Sequence, residues 1–339
     1  MTPARLDVSR EQVLAHRRRV GALNERLPPG RRSLRSAAWA GLQDSVPRAA
    51  VLSIHARVSS TEPDAWEDSS LAQVWGPRNS VYVVPDRDRA VFTLGRLPDD
   101  PKERRDAEDI AARLRKRLGD QRMPSGQAAE SIGVDHLRLR FASVTGTVLI
   151  RWDGAREPAV WVVPKPEMDP SRARLELARR YLHVLGPATP VAFQRWVSMP
   201  KAAAVATFEA LGKALVPVHT PAGDGWILAR DEAAFREPEG SQVGVRFLPS
   251  GDAYLLAADR SLLVPGADHR RTLWPSSSVF PGGLLIEGEL VGTWRRAKEQ
   301  LTVHAWRRLT PSTRRAVEVE ASTLPLPGVE GPISVQWKT

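Results

Sequence analysis

Apolar and polar residues recur along the chain with two periods, one typical of amphipathic helices and one typical of short strands. Ser9 and Gln12 match an N-cap and its capping box, so we predict a first helix over residues 9–19. Similar patterns predict further helices over residues 34–40, 48–58, 102–122, 126–131 and 137–145. Short apolar runs beside proline or Asp-Gly predict strands over residues 79–85, 146–154 and 158–163.

A second block of the chain repeats the order of helix, short helix, helix and hairpin. We predict its helices over residues 172–185, 191–197 and 200–211, and its strands over residues 215–218 and 226–228. This order of elements is the winged variant of the helix-turn-helix, and the first block follows it less clearly. We therefore predict three tandem winged-helix domains, over residues 1–100, 101–169 and 170–238.

The pattern changes after Val243 to short strands at regular spacing. These strands are predicted over residues 245–248, 253–256, 283–286, 288–294 and 301–306, and a helix follows over residues 313–322. Regularly spaced short strands are typical of a small barrel. We therefore predict a small C-terminal β-barrel over residues 239–339 and an α+β fold class for the chain.

Composition adds a preference for polyanions. The 339 residues include 42 arginines and seven lysines, and the net charge is +10. A cationic surface of this size favours nucleic acid or an anionic membrane, and arginine binds phosphate through two parallel hydrogen bonds. An arginine-rich genome composition is the alternative explanation for the arginine excess. The absence of cysteine excludes disulfides, thiolate nucleophiles and iron–sulfur clusters.

Several other classes of protein do not fit the sequence. Neither an export signal nor an apolar stretch long enough to span a bilayer is present, so we expect a cytoplasmic protein with no membrane partner. The seven histidines form no metal-binding pair, and no glycine-rich phosphate loop occurs, so we expect neither a metal nor another cofactor. Residues 198–201 match the S-x-x-K pattern of serine acyltransferases, but the companion motifs of that class are missing.

One segment carries the candidate chemistry. Residues 41–50 read GLQDSVPRAA and precede a predicted helix. In this context the chain resembles the winged-helix DNA glycosylases of the AlkZ/YcaQ type, which release bulky alkylguanine adducts and interstrand crosslinks. Members of that family carry Gln-x-Gln or Gln-x-Asp after Gly-Leu, followed by Pro-Arg-Ala-Ala. Residues 78–84, 252–261 and 291–296 extend the resemblance over essentially the whole chain.

The resemblance implies three winged helices, a β-barrel and a catalytic turn at Gln43, Asp44 and Ser45. The chain departs from the family at this turn, because Ser45 occupies the second catalytic position and the carboxylate is at Asp44. Either Asp44 is turned into the site, or Gln43 and Ser45 hold the water, or catalysis has been lost. Asp44 or Ser45 could also simply cap the helix that follows.

The reaction that the resemblance implies makes modest demands on the enzyme. Alkylation at guanine N7 places a positive charge on the base and weakens the glycosidic bond. The enzyme must then orient a water and stabilise an oxocarbenium-like sugar, which amide, hydroxyl and carboxylate groups can do. No lysine lies near the turn, so we expect a monofunctional enzyme without a Schiff-base lyase step.

Basic and polar side chains near these motifs are the candidates for DNA contact. Phosphate contacts position a protein on DNA without reading its sequence. The candidates are Arg48, Arg57, Arg78, Asn79, Arg195, Lys201 and, in a predicted loop between barrel strands, Arg270 and Arg271. For each of them singly, solvated surface is the alternative interpretation.

Two functions remain open at this stage. The first is a monomeric DNA glycosylase that acts on double-stranded DNA carrying alkylated guanine and is nucleoid-associated when bound, as in self-resistance to a DNA-alkylating natural product. The second is a non-catalytic winged-helix DNA-binding protein, either a regulator or a lesion binder. Three tandem winged helices argue against a simple dimeric operator reader, which uses one module per half-site.

Overall fold

The computed structural model describes residues 5–237, 244–276, 280–326, 328–329 and 331–338. Within them the chain forms α-helices, three β-sheets and short 3-10 segments, so the α+β class is confirmed. The α-helices are α1 (Arg10–Val20), α2 (Arg31–Ala37), α3 (Ala49–His55), α4 (Arg89–Thr93), α5 (Pro101–Leu118), α6 (Ser125–Ser131), α7 (His136–Leu139), α8 (Pro170–Leu185), α9 (Pro190–Val197), α10 (Lys201–Leu211), α11 (Glu232–Arg236), α12 (Arg260–Leu263), α13 (Ala267–Leu273) and α14 (Pro311–Ser322).

The strands are mostly short. They are β1 (Leu6–Asp7), β2 (Leu42–Gln43), β3 (Leu71–Trp75), β4 (Val81–Pro85), β5 (Met123–Pro124), β6 (Val148–Arg151), β7 (Ala159–Val162), β8 (Leu215–Thr220), β9 (Gly223–Leu228), β10 (Val245–Leu248), β11 (Gly282–Ile286), β12 (Glu289–Ala297), β13 (Gln300–Ala305) and β14 (Ser334–Lys338). The sequence did not predict β1, β2, β3, β5 and β14.

Local capping accounts for where the helices begin and end. The predicted capping box of α1 is confirmed, since Ser9 Oγ accepts from the Gln12 N–H at 3.2 Å and Gln12 Oε1 accepts from the Ser9 N–H at 2.8 Å. Helix α5 begins at Pro101 after the N-cap Asp100. It ends at Leu118, earlier than predicted, because Gly119 takes a positive φ of 52°.

The largest sheet joins the first two predicted domains. Its strand order is β2-β4-β3-β6-β7-β5, and β3 meets β6 where Gln73 pairs with Ile150. One sheet therefore continues across the boundary predicted at residue 100. The catalytic turn predicted at residues 43–45 begins at β2, on one edge of this sheet.

The third block has the predicted order of elements. Helices α8, α9 and α10 precede the antiparallel hairpin β8–β9, and β1 pairs in parallel with β8 through Leu6 and Val218. The N-terminal residues thus belong to the sheet of a distant block. The boundary predicted between residues 238 and 239 lies outside the described residues.

The predicted C-terminal β-barrel is wrong for the described part of the chain. Strands β10 to β14 form a sheet in sequential order, and its edge strands β10 and β14 do not pair with each other within the described ranges. Both edge strands contact α14, so a helix rather than a closing ladder covers the core of this sheet. Strand β14 itself runs parallel to β13.

Residues 253–256, predicted as a strand, form a 3-10 helix instead. The Asp252 carboxylate accepts from the Tyr254 N–H at 2.9 Å, and the Asp252 carbonyl accepts from the Leu255 N–H at 2.9 Å. An aspartate that bonds the backbone two residues ahead favours a turn over an extended chain. The same Asp252 carboxylate also receives the Arg57 side chain of the segment that follows α3.

Two apolar cores cross the predicted domain limits. The larger one packs α8 against α1, α4 and the rest of the third block. Leu14, Phe92, Leu182 and Phe193 are all buried in it. The other places Ile54 of α3 against the C-terminal sheet, where Phe247 and Leu301 are buried. The helix after the candidate turn is therefore part of the same core as the C-terminal sheet.

Candidate active site

The backbone of the candidate turn separates its three polar side chains. Gln43 pairs with Tyr82 across β2 and β4, and the Asp44 N–H donates to the Val81 carbonyl at 2.8 Å. Successive side chains of an extended segment point to opposite sides. Gln43 is half-buried and Ser45 exposed, whereas Asp44 retains only 1% exposure. Gln43 and Ser45 thus share the open side, and Asp44 points into the protein.

The open side carries a connected polar network. The Gln43 side-chain amide donates to Ser45 Oγ, and the exposed Arg78 guanidinium donates to Gln43 Oε1 at 2.9 Å. Arg78 and Asn79 both adopt left-handed backbone conformations, with φ of 56° and 52°. The Asn79 side chain is fixed in place, because its oxygen accepts a hydrogen bond from the Arg96 guanidinium at 2.6 Å. Two predicted catalytic residues and one predicted DNA-contacting residue therefore lie together.

Glycines shape the surroundings of Gln43. Gly251 has a φ of +83°, and a Cβ there would lie 3.3 Å from the Gln43 side-chain carbonyl carbon. Gly41 has a φ of +82°, and a Cβ there would come within 2.8 Å of the Phe92 ring. Both positions require glycine for conformation, and Gly41 also for space. The loop before Asp252 therefore forms one wall against Gln43.

Asp44 acts inside the fold. Its carboxylate accepts from the Ala50 N–H at 2.9 Å and from the Gln73 side chain at 2.9 Å. The predicted N-cap is wrong, because α3 begins at Ala49 and its N-cap residue is Arg48, which makes no side-chain cap hydrogen bond. Asp44 still accepts from an N–H in the first turn of α3, from outside the N-cap position. Burial raises the pKa of Asp44 to about 7, against the lowering effects of these hydrogen bonds and of the Arg48 charge.

Sequence reasoning missed Gln73. This residue lies on β3 and is buried, and its Oε1 accepts from the Trp152 N–H at 2.7 Å. Gln73 therefore connects Asp44 to the β6–β7 hairpin of the second block. A single glutamine inside the apolar run LAQVW was the available signal, because a buried amide requires partners.

Arg57 was predicted to contact DNA, and the structure corrects this. Its side chain is 3% exposed and donates to both oxygens of Asp252, at 2.7 and 2.8 Å. Ser53 Oγ also donates to Asp252 at 2.7 Å. Burial opposes ionisation of Asp252, but Arg57 and the hydrogen bonds hold the pKa of that carboxyl below its usual range. Arg57 anchors α3 instead of facing a ligand.

The remaining predicted DNA contacts lie in different environments. Arg48 is half-buried, with its guanidinium carbon 4.9 Å from the centroid of the Trp66 ring. Arg195 on α9 and Lys201 at the start of α10 are exposed. Arg270 and Arg271, predicted in a loop, lie on α13. Arg270 donates to the Val264 carbonyl at 2.8 Å, and Arg271 pairs with Asp268, so both guanidinium groups are partly engaged.

A cleft of about 640 Å³ lies between the start of α9, the β8–β9 turn and residues 258–274. Arg260 lines it, with its guanidinium carbon 4.8 Å from the centroid of the Trp274 ring. Burial lowers the pKa of Arg260, and the Arg78 charge contributes to the lowering, so the two cations lie within electrostatic reach. Helix α9 also packs on residues 77–79. The cleft therefore adjoins the Gln43 network.

Arg260 is a second residue that sequence reasoning missed. It belongs to the stretch 252–261 that supports the family resemblance, but nothing in its spacing distinguished it from other arginines. Within the described residues it pairs with no carboxylate. An exposed, unpaired guanidinium beside a cleft is suited to bind an anion.

Within the described residues, one group of histidine and carboxylate side chains has the spacing that a metal ion requires. His16, His183 and Asp231 offer ligand atoms within 4.8 Å of one another. His183 Nδ1 and Asp231 are hydrogen-bonded at 2.9 Å, and His16 Nε2 contacts the His183 carbonyl at 2.9 Å. Burial lowers the pKa of His16 to about 4. These contacts join α1, α8 and residues 229–231.

The sequence and the fold both have known counterparts. Residues 37–324 match a family model described as DNA glycosylase AlkZ-like, and the chain therefore belongs to this family. An interstrand DNA cross-link repair glycosylase of Streptomyces sahachiroi is 28% identical over 166 residues. That alignment spans 45% of this chain and 42% of the relative's length.

The fold has a solved counterpart. The structure of Streptomyces sahachiroi DNA glycosylase AlkZ superposes with a TM-score of 0.78 at 19% identity, over 98% of this chain and 100% of that chain. At this identity the likeness concerns the fold. Among the helices of the described ranges, none combines the length and apolar character that crossing a bilayer requires.

Proposed function

We propose that this protein is a monofunctional DNA glycosylase that hydrolyses the N-glycosidic bond of bulky N7-alkylguanine in double-stranded DNA. The observation that carries the proposal is the network of Gln43, Ser45 and Arg78 on the open side of the turn. Membership in the AlkZ-like DNA glycosylase family supports it. The name of the curated relative extends the proposed substrates to interstrand crosslinks, and self-resistance to an alkylating natural product is the corresponding role.

Gln43 and Ser45 are the proposed catalytic residues. Their side chains already contact each other, so one water can bond to both without rearrangement. The amide and hydroxyl dipoles then stabilise positive charge on the sugar as the bond to the cationic base breaks. The departing alkylguanine takes the electron pair of the glycosidic bond and leaves as a neutral base. The water supplies the hydroxyl group at the sugar carbon and releases its other proton to the solvent.

Asp44 is a positioning residue in this proposal. Its carboxylate spans the turn, the start of α3 and Gln73, and so holds Gln43 and Ser45 on the outer side. Arg78 orients the Gln43 amide and has donors left for a phosphate next to the lesion. No lysine occurs between residues 1 and 101, in agreement with a single hydrolytic step.

The DNA backbone is proposed to follow the exposed cations around the turn. Arg78, Arg260, Arg195 and Lys201 are the principal proposed contacts, and Arg48, Asn79, Arg270 and Arg271 are proposed to contribute less because other groups already engage them. We also infer that the three helix-and-hairpin units act as winged helices on a single duplex. A monomer suffices for this arrangement.

The test is base release from a duplex that carries one N7-alkylguanine, read out by mild alkaline cleavage of the abasic product. The Gln43→Ala variant is expected to excise about 10²-fold more slowly in single turnover, with DNA affinity nearly unchanged, since the residue is uncharged. Gln121→Ala, at an exposed glutamine after α5, is the matched control and is expected to retain full activity.

Two outcomes would overturn the proposal. Full activity of the Gln43→Ala variant would remove the chemistry from this turn. Tight binding without any base release by the unaltered protein would leave the non-catalytic alternative, a winged-helix regulator or lesion binder. Melting temperatures of all variants, measured alongside, separate loss of chemistry from loss of folding.

A further inference from the structure

A second cationic cleft lies apart from the network at Gln43. It has a volume of about 400 Å³ and is lined by Arg32, Arg35, Ser36, Trp39, Arg87 and His183. We infer that this cleft binds a phosphate group through Arg32, Arg35 and Arg87.

Three arginines line this one cleft, and few carboxylates compensate their charges. Arg32 and Arg35 form no ion pair with any carboxylate in the described ranges. The carboxylate nearest Arg87 is that of Asp88, 3.9 Å away, and Arg180 already engages it at 3.0 Å. Positive charges that line one cleft repel each other unless an anion neutralises them. In contrast, the neighbouring Arg31 has its own partner, Asp68, at 3.3 Å.

The spacing of these residues presents them on one face. Arg32, Arg35, Ser36 and Trp39 follow the i, i+3, i+4, i+7 pattern along α2 and the turn after it. Such positions lie on one side of a helix, so the two arginines reach the same space. Arg87 lines the same cleft from a different element, the 3-10 segment Asp86–Asp88.

The inner wall of the cleft is fixed in advance. The Trp39 ring stacks with Arg180, whose guanidinium carbon lies 4.8 Å from the ring centroid, and meets the His183 ring edge-on at 5.3 Å. Arg180 is buried and also donates to the Trp39 carbonyl at 2.8 Å and to Glu176 at 2.9 Å. Binding of a ligand therefore requires little ordering of this wall, and Arg32, Arg35 and Arg87 supply the contacts.

Phosphate fits this set of donors better than a carboxylate does. A phosphate presents several anionic oxygens to separate guanidinium groups, and arginine binds such oxygens two at a time. Its source can be the DNA backbone or a free phosphate. The backbone is favoured because Trp39 is four residues from Gln43, and four extended residues span at most about 14 Å.

A phosphate in this cleft would thus belong to a nucleotide near the lesion, and this assignment of the source rests on the proposed function. With about 3.4 Å of helix axis per nucleotide in one strand, 14 Å corresponds to about four nucleotides. The cleft would hold the duplex at a fixed distance from the catalytic turn, by a contact independent of Arg78 and Arg260.

The test compares Arg32→Glu/Arg35→Glu with Arg105→Glu/Arg117→Glu, a control with the same change in net charge at exposed positions of α5. The first arm measures affinity for undamaged duplex as a function of salt. The cleft variant is expected to bind about tenfold more weakly, and its slope of log K against log salt is expected to be smaller by about 0.9 per lost phosphate contact. The control variant is expected to retain the slope of the unaltered protein.

The second arm measures thermal stability with inorganic phosphate against chloride at equal ionic strength. Stabilisation by phosphate that the cleft variant loses, with DNA binding unaffected, would support the site and assign it to free phosphate. A changed salt slope assigns it to the DNA backbone. Behaviour of the cleft variant like the control in both arms would overturn the inference. The binding arm uses undamaged DNA, so its result does not depend on excision. Absence of base release in the separate assay on alkylated duplex would contradict the proposed function and leave the binding result intact.

Discussion

The two ends of α3 bury one aspartate each, and the surroundings of these aspartates differ sharply. At the far end, Asp252 receives two hydrogen bonds from Arg57 and one from Ser53, so its charge is fully compensated. At the near end, Asp44 receives hydrogen bonds from Ala50 and Gln73 and forms no ion pair within the described residues. The pKa of Asp252 is lowered, whereas burial raises the pKa of Asp44 to about 7.

This difference follows from what each end has to do. A buried carboxylate with a bidentate arginine is held in one geometry, and removal of either partner leaves an uncompensated charge. The near end carries Gln43 and Ser45 on its outer side, and Arg48 there adopts a left-handed backbone with a φ of 68°. Strained and incompletely compensated groups concentrate at functional sites, where the surrounding fold maintains them. The far end of α3 supplies that support.

The largest expected effect is at the far end. Replacement of Arg57 by alanine leaves Asp252 buried without its cation and is expected to lower the free energy of unfolding by about 3–5 kcal/mol. Urea unfolding followed by circular dichroism measures this change. Arg105→Ala, at an exposed arginine, is the control and is expected to stay within about 0.5 kcal/mol. A loss at Arg57 no larger than the control would mean that the pair does not anchor α3.

A smaller effect is expected at the near end, and it depends on pH. Because burial raises the pKa of Asp44 to about 7, the folded state binds a proton more tightly than the unfolded chain does. This group therefore stabilises the fold at low pH, and its contribution is lost as the pH rises from about 4 to 7.

The Asp44→Asn variant keeps a capping side chain but does not titrate. Relative to the unaltered protein, its stability is expected to improve by about 3 kcal/mol between pH 4 and pH 7. Urea unfolding at pH 4, 5.5 and 7 measures the difference. Asp169→Asn, at the exposed N-cap of α8, is the matched control. A difference that does not vary with pH would show that folding does not shift the pKa of Asp44.

The smallest effect on stability is expected from Ser45, which is exposed and lies at the same end as Asp44. Ser45→Ala is expected to change the free energy of unfolding by less than about 0.5 kcal/mol. Excision is nevertheless expected to slow by about tenfold or more, because the water loses one of its two partners. Single-turnover rates measure this loss, and Ser131→Ala, at an exposed serine of α6, is the control. An unchanged rate would leave Gln43 alone at the site.

Local chemistry made part of this molecule predictable. The capping box of α1 and the helices of the third block depend on contacts between residues a few positions apart, and the turn at residues 43–45 was located by a contiguous motif. The partners of that turn were not predictable in the same way. Gln73 lies 29 residues from Asp44, and Asp252 lies 195 residues from Arg57. An isolated glutamine or arginine has the same local pattern whether it is buried or exposed.

The closed barrel and the DNA contact at Arg57 were wrong for the same reason. Strand spacing indicates that a sheet forms, but whether its edges meet depends on what packs against them, and α14 contacts both edge strands. Likewise, the excess of arginine indicates a cationic protein without showing which guanidinium groups are neutralised. Arg57 and Arg180 are buried and paired, whereas Arg32 and Arg260 line clefts.

The sequence by itself determined the α+β class, most helix positions, the cationic character and the family, because these depend on periodicity, composition and a contiguous motif. Only the tertiary structure decided the direction of each side chain at residues 43–45. Alternation along β2 turns Gln43 and Ser45 outward, and the burial of Asp44 against Ala50 and Gln73 maintains that register. The physical reason is that a buried carboxylate requires hydrogen-bond donors, and one of these donors comes from a strand that the chain reaches only after folding.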